Sequence, residues 1–156
     1  LSRLFGDGQE PQQAVSGRRS ITRAGEGRSI DTKNYGHLYA ATDLLNKRFI
    51  PVVAEIKARS LEEFGDLVRH AGEEYAYVLE GTVDLHTSLY APVRLNAGDS
   101  IYFDSGMGHA YVAVGKATCR VLSICTGAEA QLIAAMEASC TQPVVADLEP
   151  RRAGRR

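Results

Sequence analysis

The feature that most constrains the fold is a series of short strand-like segments that follow one another closely along the chain. Glycines, or the turn sequence Asn-Ala-Gly-Asp at residues 96–99, separate them. Many short strands with Gly-rich turns are typical of an all-β sandwich or barrel, and no helical pattern between them favours parallel βαβ units. The strands are predicted at residues 37–41, 49–57, 74–79, 82–86, 91–95, 100–103, 110–114 and 118–124.

The segments on either side of this predicted barrel, residues 35–126, have a different composition. Residues 6–34 are rich in Gly, Gln, Ser and Arg, which predicts a flexible basic linker; a basic arm that contacts phosphates or an acidic partner is the alternative. Residues 127–140 contain Leu132, Ile133 and Met136 among alanines, which predicts one short helix covering an edge or open end of the barrel. Residues 141–156 are predicted to be a disordered tail.

Composition excludes several classes of protein. The net charge of −1 gives the chain no bias toward nucleic acid or a membrane surface. No apolar run approaches the roughly 20 residues that cross a bilayer, and no signal peptide is visible. The three cysteines, Cys119, Cys125 and Cys140, match no disulfide or zinc spacing. We therefore expect a reduced, cytoplasmic protein in which Cys119 and Cys125 are small buried hydrophobes.

Two polar segments can carry chemistry. Glu74 begins one predicted strand, with His70 just before it, and His109 begins another. If Glu74 and His109 both point inward on adjacent strands, they meet inside the barrel within reach of His70. Two imidazoles and a carboxylate are a common ligand set for Zn, Fe, Mn or Ni. The alternative is a buried Glu74 that the two histidines hydrogen-bond as imidazolium ions.

The two segments together resemble the two sequence motifs of cupins, which are small antiparallel barrels of jelly-roll type. His70, Glu74 and Gly81 match the second histidine, the glutamate and the glycine of the first motif in spacing. The second motif is matched by Gly98, Gly106 and His109. The resemblance covers roughly residues 37–126. It implies an all-β cupin jelly-roll barrel with one short C-terminal helix, and a metal site at His70, Glu74 and His109.

The chain departs from the cupin pattern at one ligand position. Val68 stands where the first histidine of the first motif is expected. The three remaining ligands can still hold a metal and leave coordination positions open. Alternatively, the three residues no longer bind a metal, and the pocket binds a ligand through hydrogen bonds instead. His37 could replace the lost ligand, although a surface or edge histidine is the commoner case.

A ligand pocket is expected beside these residues. The side chains predicted to shape it are Val68, Phe103, Met107 and Tyr111. An aromatic ring supplies an apolar wall, and tyrosine adds one polar tip. Core packing is the alternative role for the aromatic residues and Met107.

A narrower resemblance suggests a function. Residues 72–81 and 98–105 are similar to the cupin sensor domains of Xre-family transcriptional regulators, in which a linker joins an N-terminal helix-turn-helix domain to the cupin. Residues 1–5 look like the last turn of such a domain, and Leu1 in place of methionine fits a piece of a longer protein. The resemblance implies a small-molecule effector, a homodimer, no catalytic residue, and DNA contact only through a helix-turn-helix domain absent from this chain.

Two other functions are compatible with these residues. One is a metal-dependent cupin enzyme, an oxygenase or isomerase of a small polar substrate, with both histidines and Glu74 as ligands. The other is a binding module with neither metal nor signalling role.

Overall fold

The computed structural model describes residues 14–138. The predictions for residues 1–5 and 141–156, and for Cys140, lie outside this range. The described elements are β1 (Arg28–Asp31), β2 (Tyr35–Tyr39), β3 (Phe49–Ile56), α1 (Leu61–Phe64), β4 (Glu73–Glu80), β5 (Thr82–Thr87), β6 (Val93–Asn96), β7 (Ser100–Asp104), β8 (His109–Ala113), β9 (Arg120–Thr126) and α2 (Glu129–Ala138).

The strands form two antiparallel sheets around one core. The larger sheet has the order β1-β2-β3-β9-β4-β7, and the smaller has the order β6-β5-β8. Alternate residues of β3 point inward, so that this strand buries Ile50, Val52, Ala54 and Ile56 while the residues between them are partly or fully exposed. The predicted all-β jelly-roll barrel is confirmed.

Strand β4 shows how the pattern of the sequence sets the orientation of the site. Glu74, Ala76 and Val78 are buried, whereas Tyr77 and Leu79 are exposed. This is the alternation predicted for a strand with one face on the core. The carboxyl group of Glu74 is therefore directed into the barrel together with apolar side chains.

The barrel begins earlier than the boundary at residue 35. Strand β1 lies within the stretch predicted to be a linker and pairs with β2 along its whole length. Upstream of β1, the Arg18 guanidinium donates hydrogen bonds to the carbonyl oxygens of Leu45 (2.5 Å) and Asn46 (3.0 Å). Part of the basic stretch therefore lies against the loop between β2 and β3.

Both helices are short. In α1 the Ser60 hydroxyl caps the first turn by accepting from the Glu63 amide, and Phe64 is buried. Helix α2 is the predicted C-terminal helix, and it buries Leu132 and Met136 against the barrel. Within residues 14–138, no helix has both the length and the apolar character that crossing a bilayer requires.

Candidate functional site

The segment before β4 places His70 beside His109. Val68 and His109 exchange two backbone hydrogen bonds of 2.9 Å each, and the His70 amide donates to the Ser105 carbonyl at 3.0 Å. The chain from residue 68 to residue 70 thus runs alongside the segment that leads into β8. The His70 and His109 rings meet edge to face, with their centres 5.0 Å apart.

Glu74 approaches the two histidines from the opposite wall of the barrel. Strand β4 belongs to the larger sheet and β8 to the smaller one, so the expectation that Glu74 and His109 lie on adjacent strands is wrong. They meet because both side chains point inward from facing sheets. His109 Nε2 lies 3.8 Å from Glu74 Oε2.

The Glu74 carboxylate is held by hydrogen bonds from three sides. Its Oε1 accepts from the Tyr111 hydroxyl at 2.7 Å and from the Ser123 hydroxyl at 2.9 Å. Its Oε2 lies 3.2 Å from His70 Nε2. Burial alone would raise the pKa of Glu74, but the His70 hydrogen bond, the charge that His109 carries when it is protonated, and the Tyr111 hydrogen bond outweigh burial and lower this pKa. Glu74 is therefore an ionised carboxylate inside the barrel.

His109 presents a free lone pair to this carboxylate. Its Nδ1 lies 2.8 Å from the Met107 carbonyl oxygen, which can only accept, so Nδ1 carries the proton. Burial lowers the pKa of His109 and favours the neutral ring. Its Nε2 is then an acceptor, is buried, and has no hydrogen-bond partner among the described residues. An acceptor nitrogen facing a carboxylate oxygen fits a cation between them.

A third kind of ligand lies close by. Cys125 is the neighbour of Glu74 on β9, and suitable ligand atoms of His70, Glu74 and Cys125 all lie within 4.8 Å of one another. Burial, the charge of Glu74 and a hydrogen bond to the Glu74 side chain all raise the pKa of the Cys125 thiol. The prediction that Cys119 and Cys125 are buried is confirmed. Spacing in the sequence could not place Cys125 beside Glu74, because the pairing of β4 with β9 is long-range.

The polar centre opens into a small internal cavity of about 20 Å³. Glu74, His109 and Tyr111 line one part of it, and Leu132 and Met136 of α2 line another. A space of this size accommodates about one water molecule or ion. Helix α2 therefore covers one side of a chamber that is nearly filled by side chains.

The four side chains predicted to shape a ligand pocket do not line one space. Tyr111 lines the internal cavity. Phe103 and Met107 line a larger groove of about 800 Å³, which is also lined by residues of β5, β6 and β7. The Phe103 ring centre lies 5.0 Å from that of His109, so this ring separates the groove from the polar centre. Val68 is 3% exposed and belongs to the hydrophobic core.

His37 lines the internal cavity, although a position at the surface or at a sheet edge was expected for it. Its side chain points inward from β2 between Tyr35 and Tyr39, with ring centres 5.0 and 5.8 Å away, and it lines the internal cavity. It is buried because it shares the inward face of β2 with both tyrosines. Burial lowers the pKa of His37 from 6.5 to about 4, against the opposing charge of Glu74.

This burial predicts a stability change in mild acid. Between pH 6.5 and about pH 4 the unfolded chain binds a proton at His37 that the folded protein does not, so stability falls as the pH is lowered through this range. The shift corresponds to roughly 3 kcal/mol. When the pH is lowered from 6.5 to about 4, the free energy of unfolding of His37→Phe should therefore fall by roughly 3 kcal/mol less than that of the unmodified protein. Urea unfolding at both pH values measures this difference. His86→Gln, at a partly exposed histidine, is the control, and equal losses in all three proteins would contradict the assignment.

Comparison with known proteins agrees with this architecture. Residues 62–125 match the family model described as the cupin domain. No curated protein matches the chain.

Solved structures share the fold at low sequence identity. Hydroxypropylphosphonic acid epoxidase (HppE) from S. wedmorenis has a TM-score of 0.59 and 18% identity, over 67% of this chain and 58% of that one. FeII HppE has a TM-score of 0.61 and 17% identity, over 72% of this chain and 62% of that one. KdgF from Halomonas sp. has a TM-score of 0.56 and 13% identity, over 72% of this chain and 98% of that one. The match therefore spans about three fifths of the HppE chains, and these likenesses show the fold alone.

Proposed function

We propose that the cupin domain this chain carries binds one divalent transition metal ion through His70, Glu74 and His109, and that it senses a small molecule on behalf of a DNA-binding regulator. The observation that carries the metal site is the buried Nε2 of His109. This atom faces Glu74 Oε2 at 3.8 Å and has no hydrogen-bond partner within the described part of the chain. Zn, Fe, Mn and Ni are the candidate ions, since each accepts imidazole and carboxylate ligands.

The residues around the site would prepare it for a metal. The hydrogen bond from Nδ1 to the Met107 carbonyl orients the His109 ring and directs its other nitrogen into the barrel. Tyr111 and Ser123 both donate to Oε1, which leaves Oε2 of Glu74 directed at the histidines. The bound ion would supply a Lewis-acid position for an oxygen or nitrogen atom of a small molecule.

The closed interior of the barrel supports a sensing role. The cavity of about 20 Å³ beside Glu74 is too small for an organic molecule. An effector that reaches the polar centre must therefore displace side chains such as Phe103, or the helix α2 that covers the cavity. A ligand that binds one arrangement more tightly shifts the population toward it, which is what a sensor requires.

The regulator context rests on the resemblance of residues 72–81 and 98–105 to Xre-family sensor domains. In this proposal the protein is a cytoplasmic homodimer, and effector binding changes the spacing of two helix-turn-helix heads. Those heads, absent from this chain, would make the DNA contacts. The test is the coding sequence upstream of Leu1. A longer protein with no helix-turn-helix domain there would rule out the regulator role.

Thermal unfolding of chelator-treated protein tests the metal site. Zn(II), Mn(II), Ni(II) or Fe(II) at about 100 times its dissociation constant should stabilise the fold by about 2.7 kcal/mol, because the ion binds the native site. Calcium serves as the control ion, since it prefers all-oxygen sites. If the melting temperature responds to none of the four ions, the metal site is refuted.

Val68→His should strengthen metal binding. Val68 is buried two residues before His70 and pairs with His109 through the backbone, so an imidazole at this position would enter the same site. We expect Zn(II) affinity to rise at least about tenfold, which is about 1.4 kcal/mol. Isothermal titration measures the change. Arg69→His, at the exposed position between these residues, is the matched control and should leave affinity unchanged.

A metal-dependent enzyme is the second candidate. Three protein ligands would leave coordination positions open, as catalytic sites require. The observation in its favour is the fold shared with FeII HppE. Oxygen uptake by Fe(II)-loaded protein with hydroxypropylphosphonic acid, tested beside Glu74→Gln, separates the two roles. Oxygen uptake by the unmodified protein but not by Glu74→Gln favours an oxygenase. No oxygen uptake, together with an affinity of the longer chain for DNA that depends on the metal, favours the sensor.

A further inference from the structure

We infer that Cys125 is a fourth metal ligand, and that its sulfur makes the site selective for thiophilic ions such as Zn(II) over Mn(II). The inference rests on the proposed metal site and adds a ligand from β9. It identifies which ion the barrel holds, because a thiolate is a soft ligand whereas imidazole and carboxylate alone discriminate weakly.

The position of Cys125 follows from strand pairing. Strand β9 lies between β3 and β4, and Cys125 is the direct partner of Glu74 in the β4–β9 ladder. Direct partners on neighbouring strands point to the same side of the sheet. The Cys125 side chain therefore enters the barrel beside the carboxylate, and the residue is only 3% exposed.

Three of the four donor atoms are near enough to share one ion, and His109 lies outside that group of three. A nitrogen of His70, a carboxylate oxygen of Glu74 and the sulfur of Cys125 all lie within 4.8 Å of one another. Independently, the unpartnered Nε2 of His109, in a residue that is 1% exposed, faces Oε2 of Glu74 at 3.8 Å. Two nitrogens would come from the wall formed by residues 68–70 and β8, and an oxygen and a sulfur from the facing sheet.

Cys125 compensates for the residue at position 68. With Val68 in the hydrophobic core, the wall beside β8 supplies two histidines. A fourth donor from the larger sheet completes a four-coordinate set, the number that Zn(II) prefers, and a small molecule would then bind as a fifth ligand. When the S–metal bond forms, the S–H bond of Cys125 breaks and its proton leaves to solvent. No oxidant or reductant is needed.

The experiment compares Cys125→Ser with Cys119→Ser in the 156-residue protein. Cys119 is also buried but is not among the clustered ligands, so it controls for loss of a core thiol. Competition titrations should show Zn(II) affinity reduced by about 10- to 100-fold in Cys125→Ser, and Mn(II) affinity changed by less than about threefold. Cys119→Ser should retain the Zn(II) affinity of the unmodified protein.

Cobalt absorption supplies a measurement that requires no variant to fold. The Co(II)-loaded unmodified protein should show thiolate-to-metal charge transfer in the near ultraviolet. Co(II) binding without that absorption, or equal Zn(II) affinity in both cysteine variants, would overturn the Cys125 assignment while leaving the metal site intact. A protein that binds neither Zn(II), Mn(II) nor Co(II) would overturn both.

Discussion

Replacing Glu74 by glutamine should abolish tight metal binding while leaving the fold in place. The amide has the shape of the carboxylate, and its oxygen can still accept from Tyr111 and Ser123 as Oε1 does. Its NH2 group would take the place of Oε2 and donate toward His109 Nε2, now 3.8 Å from that oxygen. The charge that attracts the ion would be lost, and the lone pair of His109 would be occupied. We expect Zn(II) affinity to fall at least about 100-fold, which is about 2.7 kcal/mol.

Titration calorimetry with Zn(II), together with circular dichroism of the metal-free variant, measures both parts of this prediction. Glu73→Gln is the matched control, because Glu73 precedes Glu74 on β4 and is exposed on the opposite face. It removes the same charge one residue away and should bind metal normally. An affinity of Glu74→Gln within about threefold of that of the unmodified protein would remove Glu74 from the ligand set.

Replacing Gly81 by alanine should be among the most destabilising single changes in the barrel. Gly81 joins β4 to β5 with a φ of +76°, which L-residues rarely adopt. An added Cβ would also lie 2.4 Å from the Thr118 carbonyl oxygen and 3.0 Å from the Cys119 Cα, both backbone atoms that no rotamer change can move. Strain and clash together should cost about 3 kcal/mol or more. The melting temperature should therefore fall by roughly 10 °C in a domain of this size.

Gly115→Ala separates the two causes. Gly115 has a φ of +72°, close to that of Gly81, but an added Cβ there meets nothing within 4 Å. It should cost only about 1 kcal/mol, the price of the backbone conformation alone. Calorimetric unfolding of both variants measures the difference. Equal losses of stability would mean that the close approach of Gly81 to Thr118 and Cys119 does not constrain this turn.

Local pattern was enough to predict the fold class and the inward orientation of Glu74. Alternation along β4 directs Glu74 inward, and His70 lies four residues before it, within reach of its carboxylate. Apolar residues among alanines predicted α2 correctly. Each of these features depends on residues close together in the chain, where side-chain direction follows from backbone geometry.

Long-range pairing decided what the sequence by itself could not. Glu74 and His109 meet across two facing sheets, and Cys125 joins Glu74 only because β9 pairs with β4. His37 enters the cavity because β2 turns the same face to the core as β3. The strand alternation of one segment gives no information about which segment lies beside it, because sheet order follows from the packing of the whole barrel.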